Sequence, residues 1–326
     1  MRALMAFLVL SLAGFVATAN AEPVSRQSQN ETLFQQMQSV FGQSDTQMQK
    51  IRSIFAGSSM MGQGNPAITV HPMSPEECRA RLQRSSVTYD NPRFEKICGS
   101  KYLAPLYDPA TQQPEDAKAC IDQFEFPDIP CTYPVVWVRA REAAQLCEAE
   151  GKRICDAHEW EGACQGTLGP ADYEFGLGIG GMRAAHNAKY ASSKRWSYGP
   201  EYRTGVCATG SSKSPGCNGG EWGGCGSNTY PTGSFSECHS PLGVYDINGN
   251  AAEHMNLPTS PSEMASRGST TLGVTEMKGS WFVFDRVRAH EDWCRWRAPY
   301  WHGTRLMDPS SHANYHLGFR CCKTIK

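Results

Sequence analysis

The spacing of apolar residues changes along the chain and marks out its elements. Leu33, Met37, Val40 and Phe41 recur at helical spacing, and after a break near Gly42 so do Met48, Ile51 and Phe55. Such stripes predict two short amphipathic helices between Thr32 and Phe55, and Ser44 with Gln47 forms a capping box at the start of the second. Glu22 to Asn30 is polar and predicted to be disordered, and Gly57 to Pro66 reads as a linker. Ser74-Pro75-Glu76-Glu77 opens a further short helix: serine at the N-cap, proline at the first helical position, glutamate closing the box. Cys78 and Cys98 flank that subregion and are candidates to staple it.

From Cys120 the period shortens. Ile121 to Phe126 alternates as a strand does, and Tyr133 to Val138 is a second extended run. Arg139 to Glu150 reads as a helix with Ala143, Ala144 and Cys147 inward and Gly151 as its stop. Asp156, with Glu159 three residues on, caps another helix that runs to Cys164. Gly166 to Pro241 is rich in Gly, Ser, Asn and Tyr and predicts few regular elements. It is long for a structureless loop. Cys207, Cys217, Cys225 and Cys238 lie in it, so disulfides or ions are expected to order it.

The N-terminus sets the redox context. Arg2 precedes an apolar run from Ala3 to Val16, and Ala19-Asn20-Ala21 has the small-x-small cleavage pattern. This predicts a signal peptide over residues 1–21 and a periplasmic or secreted chain. The apolar run is too short to span a bilayer comfortably, and no later stretch is expected to cross one. All 14 cysteines follow Ala21, and an even count in an exported chain favours disulfides. With 31 Lys+Arg against 32 Asp+Glu, nothing in the charge favours a nucleic-acid or anionic-membrane partner.

Four blocks, in order, carry a family resemblance. The first runs from Pro134-Val135-Val136-Trp137-Val138 through Ala143 to Cys155 and on to Glu159-Trp160-Glu161-Gly162-Ala163-Cys164. Gly243-Val244-Tyr245-Asp246-Ile247-Asn248-Gly249-Asn250-Ala251-Ala252-Glu253-His254 is the second, Lys278-Gly279-Ser280-Trp281 the third, and Leu317-Gly318-Phe319-Arg320-Cys321 the last. Together they resemble the sulfatase-modifying-factor family, whose founding member is the formylglycine-generating enzyme. The resemblance implies an α+β, C-type-lectin-related fold that is loop-rich and stapled by disulfides. On this reading residues 1–21 are the signal peptide, 22–117 a helical and linker extension, and 118–326 the family domain.

The resemblance also implies sites. It pairs Cys147 with Cys321 and Cys164 with Cys294, leaving Cys155 and Cys322 to form a second bridge beside the first. It implies a structural calcium held by the carboxylates of Asp246 and Glu253 and the backbone carbonyls of Gly249 and Ala251, a donor set that suits a hard cation. An asparagine matching Asn187 belongs to a second calcium site whose acidic partner has no counterpart here. Copper in the family is held by two cysteines shortly after the third block, a geometry that suits Cu(I). Here Val283 stands at the first of those positions and the following segment holds one cysteine, Cys294.

The remaining candidates for chemistry are His290, Asp292, Cys294, His302 and Arg305. Histidine and carboxylate suit non-haem iron, but their spacing matches no fixed ligand motif, and the identity of any redox metal stays open. Ser280, Trp281, Trp296 and Trp301, from a cluster that includes Trp293 and Tyr300, are candidates to bind a peptide or small-molecule ligand. Two readings follow: an exported oxidoreductase acting on a peptide or small aromatic substrate without the copper-binding pair, or a non-catalytic ligand- or partner-binding domain of the cell envelope. A scaffold built on the N-terminal helices is a third.

Overall fold

The computed structural model describes residues 24–298 and 303–325. The predicted signal peptide and the candidates Trp301 and His302, together with Tyr300, lie outside the described residues. The chain starts with α1 (Arg26–Phe41) and α2 (Asp45–Ala56). Ser25 and Ser28 cap α1 reciprocally, so helix extends into the segment expected to be disordered. Gly42, at φ 62°, ends α1 in the left-handed conformation that glycine adopts without a Cβ clash. Leu33, Phe34, Met37, Met48, Ile51 and Phe55 are buried in one core cluster with Val138, Ala143 and Leu146. The last two belong to α5 (Ala140–Ala149). These helices are part of the main core, not a stalk.

α3 (Pro75–Arg84) and α4 (Pro92–Cys98) lead to β1 (Leu103–Leu106) and β2 (Ala119–Asp122). β1 and β2 pair antiparallel, Leu103 opposite Asp122 and Leu106 opposite Ala119. The expected boundary between residues 117 and 118 therefore cuts through a hairpin and does not separate two units. With β3 (Arg153–Ile154) and β7 (Cys321–Thr324) these strands form a sheet in the order β1-β2-β7-β3. A second sheet, β5-β4-β6, consists of β4 (Ala252–Leu257), β5 (Val274–Lys278) and β6 (Leu317–Phe319). α6 (Ala157–Gln165) packs against this framework. The run Tyr133 to Val138 joins neither sheet: Val136 makes an isolated bridge to Gly62, and Val135, Val136 and Val138 serve the core.

The stretch read as irregular holds α7 (Gly178–Tyr190). Its start, Gly178-Ile179-Gly180-Gly181, argues against helix by propensity, and two of its buried residues are Arg183 and His186, so no apolar stripe announces it.

All 14 cysteines are paired. Cys147–Cys321 ties α5 to β7, with Cys155–Cys322 beside it and Cys164–Cys294 joining α6 to the C-terminal third. Cys207–Cys238 and Cys217–Cys225 order the long loop. Cys78 and Cys98 bond Cys131 and Cys120, fastening α3 and α4 onto the domain. Each bridge restricts the unfolded chain, an effect of about 2–4 kcal/mol.

Candidate functional site

The segment after Gly279 is closed. The Ser280 hydroxyl donates to Asp292 Oδ2 at 2.9 Å and accepts the Gly249 N–H at 2.9 Å. Trp196 Nε1 donates to Asp292 Oδ1 at 2.7 Å, and Asn248 Nδ2 donates to the Asp292 carbonyl at 2.8 Å. Burial pushes the Asp292 carboxyl up to about 6, against the pull of its Trp196 and Ser280 hydrogen bonds. Asp292 is thus a strut fixing its segment to the Asn-Gly turn. Trp281 is buried against His316, with ring centroids 4.5 Å apart, and Val283 is buried in the same cluster. Cys294 is spent on Cys164.

Of the other described candidates, neither His290 nor Arg305 bonds Asp292. His290 stacks flat on Trp296, with centroids 5.0 Å apart and planes at 5°. Arg305 Nη2 donates to Glu263 Oε1 and to the Leu272 carbonyl, both at 2.7 Å. Thr304 accepts from the N–H of Thr275, so Arg305 sits at the start of β5, whereas Ser280 follows its end. At about 3.3 Å per residue, that strand holds them roughly 15–20 Å apart.

The two carboxylates of the expected calcium set are engaged within the protein. Arg320 Nε donates to both Glu253 oxygens, at 2.9 and 2.8 Å, its Nη2 adds a bond at 2.7 Å, and Trp160 Nε1 donates to Oε2 at 2.6 Å. Asp246 Oδ2 accepts from the Gly233 N–H. Glu125 Oε1 accepts from the Ala251 N–H and so joins the same turn. A carboxylate already holding a guanidinium and an indole is poorly placed to take a cation as well, so Glu253 does not fit the calcium role that the resemblance implies. Asn187 is engaged as well: its side-chain amide exchanges two hydrogen bonds with the backbone of Arg297, at 2.8 and 3.0 Å. Instead of a metal cage, Glu125, Asp246 and Glu253 share Arg320. Burial pushes Asp246 up to about 7 and, together with the neighbouring carboxylates, pushes Glu125 well above its ordinary range.

A second buried cluster lies on the other side of α6. Glu161 Oε1 accepts from Lys278 Nζ and from Arg297 Nε, both at 3.0 Å. Asp172 faces Arg297 at 3.5 Å and Arg295 at 3.7 Å, and His186 lies between the two carboxylates at 3.4 and 3.5 Å. Burial alone would raise Glu161, but Arg297, Lys278 and His186 outweigh it and hold the group at about 2. Arg183 Nη2 pairs with Glu276 at 2.7 Å. One ligand atom each of Glu161, Asp172 and His186 falls within a 4.8 Å cluster, the one such grouping among the described residues. Its carboxylates are already neutralised by lysine and arginine, so it does not fit a metal.

This cluster borders an open cleft of about 240 Å³ lined by Gly180, Arg183, Ala184, Asn187, Trp296 and Arg297. Of the candidate ligand-binding residues, Trp296 lines this cleft, while Ser280 and Trp281 are buried. Sequence reasoning missed Arg183 and the role of Arg297. The available signal was the density of arginine around Trp296, in Arg295-Trp296-Arg297.

Comparison with known proteins supplies the rest. The family model described as the sulfatase-modifying factor enzyme 1-like domain matches residues 37–325. The chain is similar to the solved structure titled "Crystal Structure of CarF", with 14% identity, coverage of 78% of this chain and 84% of that one, and a TM-score of 0.34. No curated protein matches it.

Proposed function

The chain belongs to the sulfatase-modifying factor family, and from that premise we propose that it is an exported ligand-binding member of the family that does not use copper–thiolate oxidation. The observation that carries this reading is the state of the cysteines. Cu(I) chemistry of the family type needs two thiolates, and here Val283 offers no ligand atom while Cys294 is bonded to Cys164. The alternative, oxidation at another metal, drew on His290, Asp292, Cys294, His302 and Arg305, of which His302 lies outside the described residues. Asp292 is a structural strut, Cys294 is bridged, and Arg305 is tied to Glu263 at the far end of β5.

Binding has better support. The cleft beside Trp296 is walled by buried arginines, which suits a small-molecule or peptide ligand with an anionic group. The seven disulfides support export to an oxidising compartment, periplasmic or extracellular. Among the described residues no helix is long and apolar enough to cross a membrane.

The test is direct. A peptide carrying a sulfatase-type modifiable cysteine, incubated with copper-loaded protein and O₂, is expected to keep its thiol mass. Conversion of that thiol to the aldehyde, abolished by Cys294→Ser, would overturn the reading.

A further inference from the structure

We propose that the cleft between α7 and the segment Trp296–Ala298 binds a tetrahedral oxyanion, a sulfate or phosphate group, as a ligand or part of one. The inference rests on the binding reading of this same cleft and names the chemical class of its ligand; it does not depend on whether the protein oxidises a substrate.

Two guanidinium groups line the cleft from different segments, Arg183 from α7 and Arg297 from the C-terminal third. They are 3% and 1% exposed. Each is tied down on one side, Arg183 through Nε and Nη2 to Glu276 and Thr275, Arg297 through Nε and Nη2 to Glu161 and Asp172. Among the described residues, each also keeps one buried nitrogen, Nη1, with no hydrogen-bond partner. Buried charged donors left unpaired are costly, and two of them, on arginines that line one cleft, point to an acceptor arriving from outside the chain.

The charge balance points the same way. Arg183, Lys278, Arg295 and Arg297 face Glu161, Asp172 and Glu276, and the exposed Lys189 adds to the cationic side. The cluster is one or more carboxylates short of neutrality, which an anion entering the cleft makes good.

α7 contributes a third set of donors. It has 13 residues, no acidic residue in its first turn and no side-chain hydrogen bond at its N-cap position, Leu177. Its first-turn N–H groups and the positive end of its dipole are therefore uncompensated by side chains, and Gly180 of that turn lines the cleft. A Cβ built on Gly180 meets nothing within 4 Å among the described residues, so their packing does not require glycine there. Glycine in a helix costs stability relative to alanine, and its use here leaves bare backbone where a ligand group approaches. Donors from two guanidinium groups on separate segments and from a helix start suit a tetrahedral oxyanion. A planar carboxylate is satisfied by a single guanidinium fork.

The experiment titrates the full chain with sodium sulfate, sodium phosphate, sodium acetate and sodium chloride at matched ionic strength, following the thermal midpoint and the heat of binding. Sulfate or phosphate is expected to raise the midpoint saturably, chloride not to do so, and acetate to act more weakly. Gly180→Ala, whose methyl has room in the fold but intrudes on the cleft, is expected to keep or raise the midpoint of the anion-free protein and to weaken sulfate binding about tenfold. Arg183→Gln is expected to lose the response. Chloride matching sulfate, acetate binding as tightly as sulfate, or Gly180→Ala binding as the parent does would each overturn the proposal. The larger of the sulfate and phosphate responses identifies which oxyanion the site takes.

Discussion

Consecutive residues of α6 enter two buried charge clusters of opposite character. Trp160 donates to Glu253, in the cluster where Glu125, Asp246 and Glu253 surround Arg320. Glu161 enters the other, where Lys278, Arg295 and Arg297 crowd two carboxylates. The first has too few cations, and burial there raises Asp246 and Glu125 so that protons make up the deficit. The second has too few anions. Its Glu161 is held at about 2, and burial lowers Lys278 below its ordinary range against the pull of Glu161. The first cluster is sealed and holds the Asn-Gly turn to β7's approach. The second opens on a cleft. A charge deficit closed off from solvent is met by protonation, whereas one bordering a cleft is available to a ligand.

The comparison makes graded predictions. The largest effect is expected from Arg320→Met, which strips the single guanidinium from three buried carboxylates. It should cost about 3–5 kcal/mol in urea unfolding at neutral pH. A loss near zero would show that Arg320 is not the cluster's counter-charge. Lys278→Met removes one cation from a cluster that has them in excess, since Glu161 keeps Arg297 at 3.0 Å. It should cost less, about 1–3 kcal/mol, and a larger loss than that of Arg320→Met would reverse the ranking of the two clusters.

pH separates them further. The folded Asp246 carboxyl sits near 7, above its ordinary 3.8. Its contribution favours folding below about pH 4 and is lost as pH rises through 7. Asp246→Asn should therefore stabilise the protein at pH 8, on the order of 1–3 kcal/mol, and change little at pH 4. Glu161 has the opposite sign: its folded value is depressed, so its contribution is present above 4.5 and lost as pH falls toward 2. Urea midpoints of parent and Asp246→Asn that run parallel from pH 4 to 8 would contradict this assignment. The smallest effect is expected from Arg305→Ala. Its side chain is half exposed and its pair with Glu263 lies away from both clusters, so about 0–1 kcal/mol is expected. A large loss would place Arg305 in a role the geometry does not give it.

Local features were legible in the sequence. The boxes at Ser44 and Ser74 start helices, and Glu159 reaches back to the Asp156 N–H at 2.9 Å. These depend on neighbours three residues apart. The bridges Cys147–Cys321 and Cys164–Cys294 came from family resemblance, because spacing alone does not order 14 cysteines. The clusters were not legible. Glu253 meets Arg320 across 67 residues and Arg297 meets Glu161 across 136, and no periodicity encodes such contacts. α7 escaped notice because its glycines and buried polar residues, the features that make it part of the cleft, hide a helix from propensity and pattern alike.

The central claim is that this family member has no thiol left for copper. It is tested by alkylating the denatured, unreduced protein with iodoacetamide and weighing it intact. Zero adducts are expected, with all 14 cysteines alkylated only after reduction. An adduct on Cys294 in the unreduced protein would contradict the account and reopen a thiolate site beside Val283.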